Sequence, residues 1–173
     1  MLETKRLIIR KLTMEDSSFV LAILNADFAN EYNCTSKINE AILWKMIEYG
    51  LSYVLVLKEN GTIIGHIGLE KDYLRYNMKS VSITYVLDEK YTHMGYMSEA
   101  IKEVLYDSFT RLERRIVSLR IASDNIPSIN LAKRVGFHYD GMIRKGTRKE
   151  DGTIYDDLLF SMTKEEFESN LDI

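Results

Sequence analysis

Apolar and polar residues alternate most regularly in "KSVSITYVLDE", residues 79–89. Val81, Ile83, Tyr85 and Leu87 occupy every second position of this run. Side chains of a β-strand point alternately to the two faces of a sheet, so the run predicts a strand with one buried face. The same reasoning predicts further strands at "RLIIRKL", "RRIVSLRIA", "FHYDGMIRKGT" and "IYDDLLFSMT".

A β-hairpin is predicted over "SYVLVLKENGTIIGHIGLE", residues 52–70. Two runs rich in β-branched residues flank the turn sequence "ENG". Asn and Gly accept the positive φ that tight hairpin turns require, so this turn has a physical basis.

The apolar period changes from two to 3.6 residues after Gly95, which predicts a helix. One face of that helix contains Ile101, Val104, Leu105, Ser108 and Phe109. A shorter helix is predicted over "PSINLAKRVGF", because Pro127 falls in its first turn and Gly136 just past its end.

Two helices are also predicted near the N-terminus. "TMEDSSFVLAILNADF" has helical spacing behind a Thr13/Asp16 start that resembles a capping box. "INEAILWKMIEYG" ends at a plausible glycine stop, Gly50. Its predicted apolar stripe is Ile38, Ile42, Met46 and Tyr49.

The order of these elements, β α α β β β α β α β β, predicts a mixed α/β sheet. No linker or repeat interrupts residues 1–173, so we expect a single domain. The strand, helix and strand between residues 80 and 122 form a crossover unit. Its two strands are therefore predicted to be parallel neighbours.

Composition and charge narrow the class of protein. The hydrophobic fraction of 46% and the charged fraction of 28% are ordinary for a globular domain, and a net charge of −3 gives no basic footprint for nucleic acid. The single cysteine, Cys34, suits a reducing compartment and a structural role. Because no signal peptide or membrane-spanning run is visible, we expect a cytoplasmic protein without a membrane partner.

Gly95 stands between the predicted strand and helix, where a phosphate often binds. The first amides of a helix have no intrahelical acceptor, and a glycine lets a phosphate approach them. A turn that merely redirects the chain is the alternative. The patterns G-x-x-x-x-G-K-[ST] and G-x-G-x-x-G are both absent, which disfavours a kinase or a dehydrogenase.

Four segments in order decide between these alternatives: "GTIIGHIGL", "ITYVLDEKYTHMGYMSEAIKEVLYDSF", "RIVSLRIASDNIPSINLAKRVGFHYDGMIRK" and "GTIYDDLLFSM". Together they closely resemble the GNAT family of acetyl-CoA-dependent N-acetyltransferases, and most of all its branch with the ribosomal-protein acetyltransferases RimJ and RimL. The resemblance implies a single-domain GNAT fold with about seven strands, about four helices and a parallel strand pair at the acetyl-CoA site.

In the family, the loop pattern R/Q-x-x-G-x-G/A holds the pyrophosphate of coenzyme A through backbone amides. Thr92 stands here at the basic or amide position and Met97 at the small one. His93 either replaces part of the missing charge or simply faces solvent. The resemblance thus implies a cofactor-binding loop made of Thr92, His93, Met94, Gly95, Tyr96, Met97 and Ser98.

The resemblance also implies the groups that act on the thioester. A backbone N–H at the end of the fourth family strand, at Val86 and Leu87, would polarise the carbonyl. Many members of the family use a tyrosine as the acid that protonates the leaving thiolate, and Ala132 stands at that position here. The resemblance to the RimL-like branch implies that Ser128 would stabilise the thiolate instead. Alternatively, the Ser128 side chain only forms a hydrogen bond with nearby backbone at the start of the helix.

Three further residues would contact coenzyme A by the same resemblance. Asn125 would contact the pantetheine arm, cap the helix, or do both. Asn130 and Lys133 would make polar contacts, with ordinary solvated side chains as the alternative.

The general base stays open at this stage. Ser82 occupies the position where RimJ/RimL-like sequences often have Glu. The candidates are His66, Tyr85 and a water molecule held by Asp156 or Asp157. No histidine or cysteine spacing predicts a metal site.

The resulting hypothesis is a cytoplasmic N-acetyltransferase that transfers an acetyl group from acetyl-CoA to a primary amine. The acceptor is either a protein N-terminal α-amine or a small amine. The alternative is a catalytically weak acyl-CoA-binding or regulatory module on the same fold. Homodimers are common among RimL-like proteins, so a homodimer is one expected assembly state.

Overall fold

The computed structural model describes residues 1–32, 37–149 and 151–171, which form one mixed sheet with helices on both faces. The strands are β1 (Leu2–Glu3), β2 (Leu7–Lys11), β3 (Leu51–Leu57), β4 (Ile63–Lys71), β5 (Ser80–Leu87), β6 (Ile116–Ala122), β7 (His138–Arg148) and β8 (Ile154–Thr163). The helices are α1 (Ser17–Leu24), α2 (Asp27–Tyr32), α3 (Glu40–Tyr49), α4 (Tyr96–Thr110), α5 (Ile126–Val135) and α6 (Lys164–Leu171).

The sheet order is β1-β2-β3-β4-β5-β6-β8-β7, and β5 and β6 are the one parallel pair among the described strands. Their pairing joins Ser80–Ser82 to Ile116–Ser118, although both strands continue for at least four more residues. Beyond Ser82 and Ser118 the two strands separate and leave a fork in the sheet. The predicted parallel neighbours are confirmed, and the fork lies between them.

Two hydrophobic clusters cover the two faces of the sheet. One joins β5 residues such as Ile83 to Ile101 of α4 and Leu131 of α5. The other packs Val86, next to the end of β5, with Leu43 of α3. Successive side chains of β5 therefore point to opposite helical layers. Each fully buried aliphatic side chain of this kind contributes roughly 1.5–3 kcal/mol.

The structure confirms the predicted fold class and corrects several details. Eight strands and six α-helices are present in the described chain, rather than about seven and about four. The additions are β1, α2 and α6, which are all short. In α3 the fully buried position is Leu43, whereas Ile42 of the predicted stripe is exposed.

Local turn and cap predictions agree with the structure where it describes them. Gly61 in the β3–β4 turn has a φ of 74°, and Gly136 after α5 has a φ of 100°. Thr13 donates its N–H to the Asp16 carboxylate at 3.0 Å, as in a capping box. Cys34 lies outside the described residues.

Candidate active site

The fork between β5 and β6 opens into a cavity of about 480 Å³. Residues 82–85 of β5 and 118–122 of β6 form its two walls. Asn125 and Ser128 close one side from the start of α5. An extended ligand placed in the fork therefore meets unpaired strand backbone on both sides and the α5 side chains at its end.

Gly95 ends the loop that leads from β5 into α4, and it adopts a left-handed conformation with a φ of 80°. His93 is also left-handed, with a φ of 60°. In this loop Thr92 donates its N–H to the Glu89 carbonyl, and Glu99 donates to the Gly95 carbonyl. For the amides of residues 93–98 the described chain provides no backbone acceptor. A row of free N–H groups thus stands at the N-terminus of a 15-residue helix, where the helix dipole favours an anion.

Arg6, which precedes β2, anchors this loop from the other end of the sequence. Its Nε donates to Glu99 at 2.7 Å, and its Nη1 donates to the Met94 carbonyl at 3.0 Å. Its guanidinium also lies 4.1 Å from the centroid of the Tyr96 ring. Arg6 therefore neutralises a carboxylate in the first turn of α4 that would otherwise repel a phosphate.

The same network sets the charge of Glu99. Burial acts to raise the pKa of Glu99, but hydrogen bonds from Thr4 and Arg6 outweigh burial and hold that pKa below its ordinary value. The Arg6–Glu99 ion pair consequently persists over the neutral pH range.

The side chains of the predicted loop residues have different surroundings. Thr92 donates its hydroxyl to the Glu89 carbonyl at 2.7 Å, and Met94 is exposed. Met97 is buried in the main hydrophobic cluster, so its side chain points away from the loop surface. The Ser98 hydroxyl accepts a hydrogen bond from Arg134 of α5 at 3.1 Å.

The first turn of α5 brings two predicted residues to the cavity. Asn125 is the N-cap, and its side-chain oxygen accepts the Ser128 N–H at 3.1 Å. Both Asn125 and Ser128 line the cavity, so the cap and the cavity-facing position coexist. Asn130 and Lys133 are exposed on α5 and do not line it. Ala132 is fully buried in the core.

The register between β4 and β5 determines which peptide groups face the fork. Asp88 donates its N–H to the Ile64 carbonyl at 2.8 Å, next to the Gly65–Leu87 pair. Because peptide groups of successive residues alternate in direction in an antiparallel strand, the Leu87 N–H points toward the fork and the Val86 N–H toward β4. Neither Val86 nor Leu87 lines the cavity, and of these two predicted residues only Leu87 directs its N–H to the side of β5 that faces the fork.

Tyr85 lies on the β5 wall beside Ser128. Its hydroxyl oxygen is buried and has no hydrogen-bond partner among the described residues. Burial raises the pKa of Tyr85 to about 12, and the neighbouring Ser128 side chain acts in the opposite direction. A phenol with that pKa stays protonated at neutral pH, so Tyr85 is a hydrogen-bond donor rather than a base.

The other candidate bases differ in position. His66 is buried between β3 and β5 and does not line the cavity, and burial lowers its pKa to about 4. Asp156 accepts the Lys145 N–H at 2.7 Å and also lies outside the cavity lining. Asp157 lines the cavity but is held by Arg120 Nε at 2.5 Å.

Glu70 is a cavity carboxylate that sequence reasoning missed. It pairs directly across β4 and β5 with Ser82, the position where a glutamate was expected. The Thr84 hydroxyl donates to it at 3.3 Å, and no ion pair to it occurs in the part of the chain that the structure describes. By contrast, Asp72 in the same cavity forms an ion pair with Arg75 at 2.8 Å. The hairpin register alone brings Glu70 to this place.

Arg6 was also missed, because 88 positions separate it from Met94. Its only sequence signal is a charged residue directly before an apolar strand. The pairing of β2 inside the sheet, which sequence periodicity does not specify, brings it to the loop.

These features fit coenzyme A. The free amides at the start of α4 suit a diphosphate, and the fork is lined by strand backbone that suits an amide-containing arm. The described residues contain no group of three or more His, Cys, Asp or Glu side chains that could hold a metal ion. None of the described helices is long and apolar enough to cross a membrane.

Comparison with known proteins identifies the class. The sequence model of the acetyltransferase (GNAT) domain family matches residues 6–138, so the chain belongs to this family. The family and its relatives make the protein an acyltransferase. One relative, the uncharacterized N-acetyltransferase p20 of Bacillus licheniformis, is 26% identical over 96% of this chain and 97% of its own length.

Solved structures share the fold. A GNAT-family acetyltransferase from Bacillus anthracis has a TM-score of 0.83 at 20% identity, covering 95% of this chain and 99% of its own. A spermidine N-acetyltransferase from Vibrio cholerae, in complex with coenzyme A and spermine, has a TM-score of 0.81 at 18% identity, covering 93% and 97%. RimJ from Mycobacterium smegmatis, in complex with CoA-disulfide, has a TM-score of 0.78 at 20% identity, covering 92% and 83%.

Proposed function

We propose that this acyltransferase uses acetyl-CoA as the donor and transfers its acetyl group to a primary amine. The observation that carries the proposal is the connection between two features. The free amides of residues 93–98 follow directly on β5, one of the two strands of the fork, and the fork opens into the cavity lined by Ser128. One extended molecule with a diphosphate at one end and a thioester at the other fits both.

The donor brings an activated acyl group, and the protein's residues position it. The amides of the loop bind the diphosphate, with Arg6 neutralising Glu99 beneath them. The Leu87 N–H donates to the thioester oxygen, where negative charge develops during attack. The Ser128 hydroxyl donates a hydrogen bond to the sulfur as the C–S bond breaks.

The acceptor approaches from the sheet face that contains Glu70. Side chains of directly paired residues share one face, and their Cβ atoms lie about 4.5–5.5 Å apart, so Glu70 and Ser82 flank the same space. Because no arginine or lysine neutralises Glu70 within the described residues, it can attract an ammonium group. The Glu70–Ser82 pair lies five residues from the Gly65–Leu87 pair, so the proton of the amine would reach Glu70 through intervening water. The N–C bond then forms as the C–S bond breaks. Of the two protons that the ammonium loses, the first passes to Glu70 and then to water, and the second passes to the released thiolate, which leaves as the thiol.

The proposal also covers the branch of the family to which the protein belongs and the class of its acceptor. Among proteins with this fold, a ribosomal-protein-S5-alanine acetyltransferase from Vibrio fischeri and a spermidine N-acetyltransferase represent two acceptor classes, a protein and a polyamine. We expect a primary amine of one of these kinds, with RimJ/RimL-like sequence features favouring a peptide N-terminus. The homodimer and the cytoplasmic location stay predictions.

A thiol-release assay over a panel of amines tests the proposed function. Purified protein is mixed with acetyl-CoA and with peptides, polyamines, amino acids or aminoglycosides, and free thiol is followed. Release that requires both an amine and the protein is the expected result. Coenzyme A binding by calorimetry, with no release for any amine, would instead support the regulatory-module alternative.

Glu70→Gln tests the acceptor side. We expect kcat/KM for the amine to fall about 100-fold, because a positioned general base contributes at least that much. The KM for acetyl-CoA should stay unchanged. Glu59→Gln, in the exposed β3–β4 turn outside the cavity, is the matched control. Equal activities of the two variants would remove Glu70 from the mechanism.

A further inference from the structure

The hydroxyl of Ser128 has a single proton. The direction in which this O–H points decides whether Ser128 can donate a hydrogen bond to the sulfur. A serine hydroxyl that donates to a protein carbonyl or carboxylate has no proton left for a ligand. No hydrogen bond fixes the Ser128 hydroxyl in the part of the chain that the structure describes, although the Tyr85 side chain lies close enough to act on it, while the Ser128 N–H is taken by Asn125. The orientation of the hydroxyl therefore depends on what lies beside it.

Tyr85 lies beside it. The two residues line the same cavity, Tyr85 from β5 and Ser128 from α5. The Tyr85 hydroxyl is buried, without a hydrogen-bond partner in the described chain, and next to the Ser128 side chain. Because an unpaired buried donor is unfavourable in free energy, we expect the phenol to donate to the nearest available oxygen.

We propose that Tyr85 is a positioning residue: its O–H donates to Ser128 Oγ, which leaves the single Ser128 proton free to point at the sulfur of the bound thioester. This inference rests on the proposed function and deepens it. The phenol then donates a hydrogen bond to the serine hydroxyl, and the serine hydroxyl donates one to the sulfur.

The reverse direction is disfavoured by the surroundings of the two oxygens. If Ser128 donated to Tyr85, the phenol proton would stay buried without an acceptor, and the sulfur would face only serine lone pairs. Because the pKa of Tyr85 lies far above neutrality, its proton is present throughout the range in which the enzyme works. Tyr85 thus reaches Ser128 from the strand, while the helix position expected to provide a tyrosine is the buried Ala132.

Tyr85→Phe removes the phenol oxygen and keeps the ring. We expect kcat to fall about tenfold, since one hydrogen bond of about 1.4 kcal/mol corresponds to that factor. The dissociation constant of coenzyme A should change less than about twofold. The melting temperature should fall by no more than roughly 2–4 °C, because the one bond lost is that to the half-buried Ser128 hydroxyl. Tyr91→Phe, a tyrosine outside the cavity lining, is the matched control and should keep full turnover.

A double-mutant cycle separates positioning from a structural role. If Tyr85 acts through Ser128, Tyr85→Phe should have no further effect on kcat in the Ser128→Ala background. Additive losses, an unchanged kcat in Tyr85→Phe alone, or a loss confined to coenzyme A affinity would each overturn the proposal.

A spectroscopic readout keeps this test independent of turnover. With ¹³Cζ-labelled tyrosine, Ser128→Ala should move the Tyr85 resonance at pH 7.5 and leave the Tyr91 resonance in place. A shift without any thiol release in the wild type would leave the Tyr85–Ser128 contact standing and refute the proposed function. Thiol release without the shift would refute the role of Tyr85.

Discussion

Lowering the pH from 7.5 to 5.0 should protonate His66 in the unfolded chain but not in the folded one. His66 is 3% exposed, and its Nε2 has no partner among the described residues. It lies between Val54 of β3 and Val86 of β5 in the sheet. Burial lowers its pKa from 6.5 to about 4, because the charged ring would lose its hydration.

The sign and size of the effect follow from the two pKa values. The unfolded chain binds the proton below pH 6.5 and the folded chain only near pH 4, so the free energy of unfolding falls as the pH falls. A difference of about 2.5 pKa units corresponds to about 3 kcal/mol, complete below pH 4. At pH 5.0 the expected loss from His66 is about 2 kcal/mol.

Urea unfolding at pH 7.5 and 5.0 measures this loss. The wild type should lose about 2 kcal/mol more than His66→Gln, which cannot take up the proton. Carboxylates such as Asp16 contribute equally to both proteins and cancel in the difference. His138→Gln, which removes an exposed histidine, is the control and should behave like the wild type. If His66→Gln loses as much stability as the wild type, the burial argument is wrong.

Three substitutions test the geometry of the fork and its loop. Gly95→Ala should cost roughly 1–2 kcal/mol, because its φ is 80°, and should weaken coenzyme A binding in calorimetry. Gly61→Ala, with a φ of 74° outside the cavity, should show a similar stability loss with unchanged binding. Arg6→Gln should lower the stability by about 1 kcal/mol and also weaken coenzyme A binding, whereas Lys58→Gln, which loses a surface pair with Glu3, should leave binding intact. Gly65→Ala would place a Cβ 2.6 Å from the Val86 carbonyl oxygen, so β4 and β5 must shift. We expect a destabilisation of about 1–3 kcal/mol and slower thiol release. Unchanged turnover would contradict the role given to Leu87.

Local sequence patterns predicted the elements that have strong periodicity or clear turn chemistry. The alternation of β5, the helical face of α4 and the Pro127–Gly136 limits of α5 all depend on neighbouring residues. Phe167 is the one buried apolar residue among the α6 side chains that the structure describes, and α2 has only six residues, so neither helix gives a long periodic signal. Their stability comes from packing, which the sequence does not display.

The conformations of the candidate site residues were predictable where one segment determines them. Gly95 and Asn125 are examples, because a strand-to-helix turn and a helix start fix their conformations. Arg6 and Glu70 depend instead on which strands pair and in what register. A sequence pattern shows which face a residue occupies, but not which distant residue lies opposite.

The fork described above divides the sheet into two parts. Strands β1 to β5 form one part, strands β6, β8 and β7 form the other, and the backbone link between them spans three residues on each strand. A bound donor would act as a missing strand that bridges both parts. Its binding should therefore slow amide hydrogen exchange along both β5 and β6. Part of the binding free energy would then be observed as a higher stability of the sheet.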